Sequence, residues 1–492
     1  MEFFFGLDFG TQGVKGIVLS DDGDIISVEY ERYGFSINNN GFIEQQPKTW
    51  VDAAKKVINK IQLKNNEVLN RISSIAIVGQ MHGVVSVSHD LTVLHDCITW
   101  CDTRSKLEAI EFQASLDAKT AHKLRNPSTT AYSASKIAWI LKHLPVIEKQ
   151  IYYFLFCKDY IRALLTDTIA TDYSDASGSL LFDFDSNNWS KDACDIIGVA
   201  PSKLPPILSS TEIAGVVSPR GSRLFGLKDG IPVAVGSGDL AASLFGSNVK
   251  SKDDALINLG TAGQVLLQDN TYGGSPEGGY IFKYINDSTN MFLFSLPSAA
   301  YCIKWFIDVC RHEDRSITEI EFQDAINEFN VQAERSIAGA NGLLFIPYLS
   351  GTGSPYFDDN IRGGWIGLSG SHSYGDMARS IMEGVAFGIL DSVSRFTGFT
   401  NRRNIHFTGG GARSFLWRQI MSNVLCKNII TNNNHDITAL GAAHIAAYAV
   451  GVKPSYPKEA TEIITPNLSE VDKYAEVYKK YIKAYPAIKS IN

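Results

Sequence analysis

The sequence is poor in several features, and each shortage excludes a class of protein. Its seven cysteines, at 97, 101, 157, 194, 302, 310 and 426, form no C-x-x-C pair. An odd number without paired spacing does not build a complete disulfide framework, so a reducing cytosol is the expected compartment. Long apolar stretches are missing too. The run Phe3-Phe4-Phe5 is broken by Asp8 and lacks a basic leader, so neither export nor a membrane partner is expected. There is no excess of positive charge: 45 Lys and Arg against 52 Asp and Glu give a net charge of -7, with no basic patch for nucleic acid. A Walker-type G-x-x-x-x-G-K-[ST] phosphate loop is also absent.

What is present is a globular chain of 492 residues, 45% hydrophobic, which is too long for one ordinary core. Phe3 to Leu7, Val14 to Ser20 and Ile25 to Tyr30 read as three strands, with Asp21-Asp22-Gly23-Asp24 as the turn between the last two. Half a chain later Ile257-Asn258-Leu259-Gly260-Thr261-Ala262-Gly263 repeats Leu7-Asp8-Phe9-Gly10-Thr11-Gln12-Gly13, with Gly, Thr and Gly in register. A single repeat at that spacing predicts two related domains, 1–247 and 248–492. Further along the first half, Thr49 and Asp52 form a capping pair before a helix bearing Trp50, Ala54, Val57, Ile58 and Ile61 on one face. Ile72 to Val78 reads as a buried strand that delivers a loop at Gly79. In the second half, 376–393 and 438–450 read as helices.

Glycine turns leave backbone N–H groups free for phosphate oxygens, and threonine hydroxyls add donors. Two such turns facing one another would grip the phosphate tail of a nucleotide; either alone could be an ordinary hairpin. Only the first has a carboxylate, Asp8, where the second has Asn258. That asymmetry suits a kinase, which needs a carboxylate to hold hydrated Mg2+ near the phosphates.

Gly363-Gly364-Trp365-Ile366-Gly367-Leu368, followed by Asp376-Met377-Ala378-Arg379-Ser380-Ile381-Met382-Glu383, resembles one signature of the FGGY carbohydrate kinases. The stretch Ser133 to His143 resembles the other, with Ala131 where a Gly, Ser, Met or aromatic residue is usual. The resemblance covers nearly the whole chain. It implies an α/β fold of two actin-like, ribonuclease H-like ATPase domains with a central cleft, the first binding sugar and the second nucleotide. ATP and Mg2+ are the implied cofactors and a small-molecule sugar the implied partner, with a homodimer left open as an assembly.

The same resemblance assigns roles to residues. Asp239, in Gly236-Ser237-Gly238-Asp239, stands where the family carries its catalytic base, and Asp8 where Mg2+ would be held through water, by analogy with hydrated Mg2+ sites. Gly10, Thr11, Gln12, Gly260 and Thr261 would handle phosphates, while Gly410, Gly411 and Ala412 would lie by the adenosine. A lone histidine is more often structural than a ligand, yet Gln80-Met81-His82-Gly83 is similar to the xylulokinase branch, where Met and His line the sugar site. Gluconate kinases share the Met-His pair. Trp100, in Thr99-Trp100-Cys101-Asp102-Thr103-Arg104, would offer an apolar face to sugar, with Asp102 and Asp172 structural. Leu240 departs from the asparagine common after the base in that branch, which leaves gluconate or another pentulose or polyol open beside D-xylulose.

Two other classes compete. Gly236-Ser237-Gly238-Asp239-Leu240-Ala241 also fits G-x-G-x-x-[GA] of a dinucleotide enzyme, but the following strand runs into a second phosphate-like turn and supplies no acidic ribose ligand. A non-metabolic actin-like ATPase would keep the phosphate turns and have no use for Gln80-Met81-His82 beside Asp239.

Overall fold

The computed structural model describes residues 2–249, 251, 253–270, 276–311, 318–431, 436–456 and 462–491. The chain forms two compact units. The first comprises Met1–Asn248, Ile281–Met291 and Asp436–Lys458; the second comprises Val249–Tyr280, Phe292–His435 and Glu459–Asn492. The units are thus not two uninterrupted halves, because two segments from beyond residue 248 pack into the first. Apolar burial explains the longer of the two: Ala442, Ile445, Ala446 and Ala447 of the helix Ile437–Ala449 share a core cluster with Phe4, Ala76 and Val78.

The first unit is built on β1 (Phe3–Phe9), β2 (Gly13–Ser20), β3 (Ile25–Arg32), helix α1 (Pro47–Lys64), β4 (Ile72–Gly79), helix α2 (Cys157–Thr166), β5 (Ile213–Val216), β6 (Pro232–Ala234) and helix α3 (Asp239–Gly246). Among the described residues its main sheet has six strands in the order β5-β6-β4-β1-β2-β3. β1 is antiparallel to β2 and parallel to β4, and β6 is parallel to β4. The period of two along β1 sorts its side chains. Phe3, Phe5, Leu7 and Phe9 join the cluster that contains Trp50, Val57, Ile58 and Ile61 of α1, while Phe4 faces the helix Ile437–Ala449. Both faces are covered, which is why β1 and β4 read as near-continuous apolar runs. Helix α1 begins earlier than the Thr49/Asp52 pair suggests: Gln46 is its N-cap and Pro47 its first residue, and Thr49 Oγ1 donates to the Gln46 carbonyl. Proline there has a preset φ and no N–H to leave unsatisfied.

The second unit repeats the plan with β7 (Asp254–Leu259), β8 (Gly263–Asp269), helices α4 (Ala300–Arg311), α5 (Glu319–Glu334) and α6 (Tyr374–Val393), β9 (Asn404–Thr408), helix α7 (Phe415–Leu425), β10 (Asn428–Thr431) and β11 (Glu462–Ile464). Five strands of its sheet run in the order β8-β7-β9-β10-β11, with β7 antiparallel to β8 and parallel to β9. The repeat therefore extends beyond the glycine turns. Phe9 pairs with Gly79 at the end of β4, and Asn258 pairs with Thr408 at the end of β9. The loop Gln80-Met81-His82 and the loop Gly409–Ala412 occupy the same topological position, one in each unit. No helix among the described residues is long and apolar enough to cross a membrane.

Candidate active site

Four consecutive carbonyls of the first turn are tied to the protein behind it. The Phe9 carbonyl accepts from the Gln80 N–H at 2.9 Å, and that of Gln12 from the Tyr33 N–H at 3.0 Å. The Tyr33 hydroxyl donates to the Gly10 carbonyl at 2.5 Å, and Gln45 Nε2 donates to the Thr11 carbonyl at 2.7 Å. Gln45 is itself locked, because its Oε1 accepts from Gln80 Nε2 at 2.6 Å and from Trp50 Nε1 at 3.1 Å. With the carbonyls turned inward, the N–H groups of Gly10, Thr11 and Gln12 meet no protein acceptor among the described residues. Successive free N–H groups make an anion nest.

Asp8 stands at the end of β1, opposite Lys15 of β2. Lys15 Nζ donates to Asp436 Oδ1, so the residue that caps the helix Ile437–Ala449 joins the site. Asp239 is the first residue of α3. Burial raises Asp8 to about 7, with the charge of Asp239 acting the same way, Lys15 opposing, and Asp436 adding a smaller upward push. Burial also raises Asp239 to about 7, against the lowering by N–H groups of Leu240, of Asp239 itself and of Met81. Three carboxylates and one ammonium thus converge. Two carboxyls held near neutrality can exchange protons at physiological pH.

The Gln80-Met81-His82 loop lies beside Asp239. Met81 packs so closely on Gly238 that a Cβ there would stand 2.6 Å from its Cγ. His82 adopts a φ of 70°, a left-handed conformation uncommon outside glycine. Its Nδ1 lies 2.6 Å from the Gly178 carbonyl. A carbonyl only accepts, so Nδ1 carries the proton and Nε2 keeps its lone pair. Burial holds the ring's pKa down at about 4, the charge of Lys136 adding to the effect, so His82 is neutral. Tyr132 meets the ring edge-on at 5.1 Å between centroids, and Phe282 stands at 6.1 Å.

Two residues from the sequence reading take a different place. Gln80 is 2% exposed, and its amide supports the phosphate turn through Gln45. Trp100 donates its indole N–H to Thr11 Oγ1 at 3.0 Å. Its polar edge therefore serves the phosphate turn, and the Thr11 hydroxyl, having accepted there, is left to donate. Asp102 pairs with Arg104 at 2.7 Å, and Asp172 caps the short helix Tyr173–Ser177.

In the second unit a cavity of about 630 Å³ is lined by Gly260, Thr261, Asn330, Gly410, Gly411 and Phe415, among others. That volume suits a nucleoside. Gly410 opens onto space with no heavy atom within 4 Å of a would-be Cβ, so a flat ring can approach the backbone. Ala412 does not line the cavity, and its N–H is spent on the Gly409 carbonyl. The second turn also differs from the first. The Gly260 N–H donates to Ala262, and the carbonyls of Gly260 and Thr261 accept from N–H groups of Ala299, Ala300 and Tyr301 at the start of α4. Gly260 thus borders the cavity but has no free N–H for phosphate. Asn330 accepts from Ser414 Oγ at 2.5 Å, joining α5 to the start of α7 along the cavity wall.

Residues 3–246 match the N-terminal domain of the FGGY family of carbohydrate kinases, and residues 256–450 match its C-terminal domain. The chain belongs to the FGGY carbohydrate kinases. A xylulose kinase of Staphylococcus epidermidis is 30% identical over 499 residues, covering 100% of this chain and 98% of the relative. A gluconokinase of Bacillus subtilis is 28% identical over 460 residues, covering 92% of this chain and 89% of the relative. Among solved structures, a protein of Brucella ovis described as a xyloylose kinase superposes with a TM-score of 0.92 at 26% identity over the full length of both chains.

As an FGGY kinase the protein has the two-domain actin-like ATPase fold, phosphorylates a carbohydrate and uses ATP as phosphoryl donor. The sequence reading of this kinase missed Lys15 and gave the Asp436 carboxylate no role of its own. A signal for Asp436 was available, since it follows β10 and opens a helix just as Asp239 follows β6 and opens one. For Lys15 the signal was its place on the strand that leaves the glycine turn, where strand pairing sets it opposite Asp8.

Proposed function

We propose that this FGGY kinase transfers the γ-phosphoryl group of ATP to O5 of D-xylulose, with Asp239 as general base. The observation that carries the reading is the set formed by Asp239, Met81 and His82 within one unit, with Asp8 near enough for the charge of Asp239 to raise it. His82 Nε2 accepts a hydrogen bond from a sugar hydroxyl, and Met81 supplies an apolar wall. Asp239 takes the proton of the attacking hydroxyl as the O5–P bond forms and the bond to ADP breaks. The N–H groups of Gly10, Thr11 and Gln12, with the Thr11 hydroxyl, hold phosphate oxygens, and the cavity beside Gly410 and Gly411 takes the adenosine.

Asp8 fits the Mg2+ role: its Oδ1 is buried without a hydrogen-bond partner among the described residues, and an acidic side chain beside a phosphate nest is the donor chemistry that hydrated Mg2+ takes. When bound, the ion neutralises charge on the phosphates. The test is ADP release measured with D-xylulose, L-xylulose, D-ribulose, gluconate and glycerol as acceptors. D-Xylulose is expected to give the highest kcat/KM. A higher value for gluconate would replace the acceptor assignment, an outcome for which the gluconokinase relative gives a concrete reason.

A further inference from the structure

A cluster of charged side chains lies buried behind the turn that presents Asp239. Lys158, Asp159, Arg162, Asp172 and Asp175 are each no more than 2% exposed. Lys158 Nζ reaches Asp159 at 2.6 Å, Asp172 at 3.0 Å and Asp175 at 3.3 Å, and Arg162 pairs with Asp159 at 2.8 Å. Buried charges are costly unless paired, and pairing alone rarely repays the cost, so a cluster of this size calls for a purpose beyond stability.

Its outward hydrogen bonds supply one. Arg162 Nη1 donates to the Val235 carbonyl at 2.7 Å, where β6 ends. Asp172 Oδ2 accepts from Ser174 Oγ at 2.5 Å and from Ser210 Oγ at 3.0 Å. Ser174 Oγ in turn accepts from the Gly238 N–H at 2.9 Å, one residue before Asp239. The turn Gly236-Ser237-Gly238 is therefore held at both ends by one buried network. It has little freedom of its own: a Cβ on Gly236 would lie 1.8 Å from the Ile77 carbonyl oxygen, and the Gly79 N–H bonds the Ser237 carbonyl at 3.4 Å.

We propose that this cluster is the positioning device for Asp239, with Ser174 as the positioning residue that transmits its rigidity to the Gly238 N–H. The proposal rests on Asp239 being the base. Ser174 is fully buried and offers no surface to a ligand; it acts by fixing where the α3 N-terminus, and hence the carboxylate, stands. A misplacement of about 1 Å can cost roughly a hundredfold in rate.

The experiment compares Ser174→Ala and the size-preserving Ser174→Cys with wild type and with Asp239→Ala, by steady-state kinetics and thermal unfolding. Both Ser174 variants are expected to lose about ten- to hundredfold in kcat, with KM for sugar and ATP within about threefold of wild type, because binding contacts stay while alignment is lost. Ser174→Thr, which keeps the hydroxyl, is expected to recover most of the rate. A Ser174→Ala protein with kcat within twofold of wild type, alongside an inactive Asp239→Ala, would overturn the positioning role and leave the base intact. An active Asp239→Ala would remove the base reading itself. Loss of melting temperature in both Ser174 variants with unchanged kcat would make the cluster structural only.

Discussion

Asp8 and Asp239 are the two side chains whose chemistry depends most on their surroundings. Both carboxyls are pushed up to about 7 by burial, and the charge of Asp239 adds to the rise at Asp8. The base works only when ionised, so kcat/KM should rise with pH through an acid limb near neutrality and fall about tenfold per pH unit below it. Stability should move the other way. A carboxyl whose folded pKa lies above its unfolded value stabilises the fold at low pH, and that contribution is lost as pH rises through the folded value, here between about 4 and 7. Asp8→Asn removes one such group, so the ligand-free variant should unfold at a higher temperature than wild type at pH 8 and lose that advantage at low pH. Melting curves for the pair at both pH values check this, and an Asp8→Asn protein less stable at pH 8 would contradict it. Met81 and His82 were legible from the sequence as a loop after a buried strand, but the neutral ring with Nε2 free depends on Gly178, far along the chain.

At the scale of elements, the repeat was legible because a hairpin is local: strand, Gly-Thr-x-Gly and strand lie within a few residues of one another. The strand boundaries moved by one or two residues, as at Phe9 and Arg32, and α1 began at Pro47. What could not be read was the partner of the alanine-rich helix Ile437–Ala449. Its small residues announced close packing, and the structure shows the surface it meets. A Cβ on Gly441 would lie 2.0 Å from the Ala242 carbonyl oxygen of α3, and one on Gly246 would lie 1.9 Å from the Ile437 carbonyl oxygen. Such contacts are with backbone, which cannot rotate away. Gly441→Ala should therefore cost about 1–3 kcal/mol by overpacking. It should also lower kcat by displacing α3, the helix that begins at Asp239. Calorimetry and kinetics on that variant test both parts, and an unchanged melting temperature would count against the packing argument.

For the whole molecule, the division of labour follows the two units. The nucleoside-sized cavity is lined by residues of the second unit, whereas Asp239 belongs to the first. Asp239→Ala should accordingly bind ATP with a Kd close to wild type while kcat falls by about 10²- to 10⁴-fold, the usual contribution of a general base. Isothermal titration beside turnover measures the two separately, and a matching loss of ATP affinity would tie Asp239 to nucleotide binding.

The sequence by itself determined the glycine turns, their duplication, the buried strands and the carbohydrate kinase signatures, because each depends on backbone conformation and side-chain pattern among near neighbours. Only the tertiary structure decided which distant groups meet. Lys15 finds Asp436 across 421 positions of chain. Trp100 gives its indole N–H to Thr11, and Gly260 spends its N–H within its own turn. Charge, burial and hydrogen bonding act through distances in space, and those are fixed by packing, to which the order of residues along the chain is only an indirect guide.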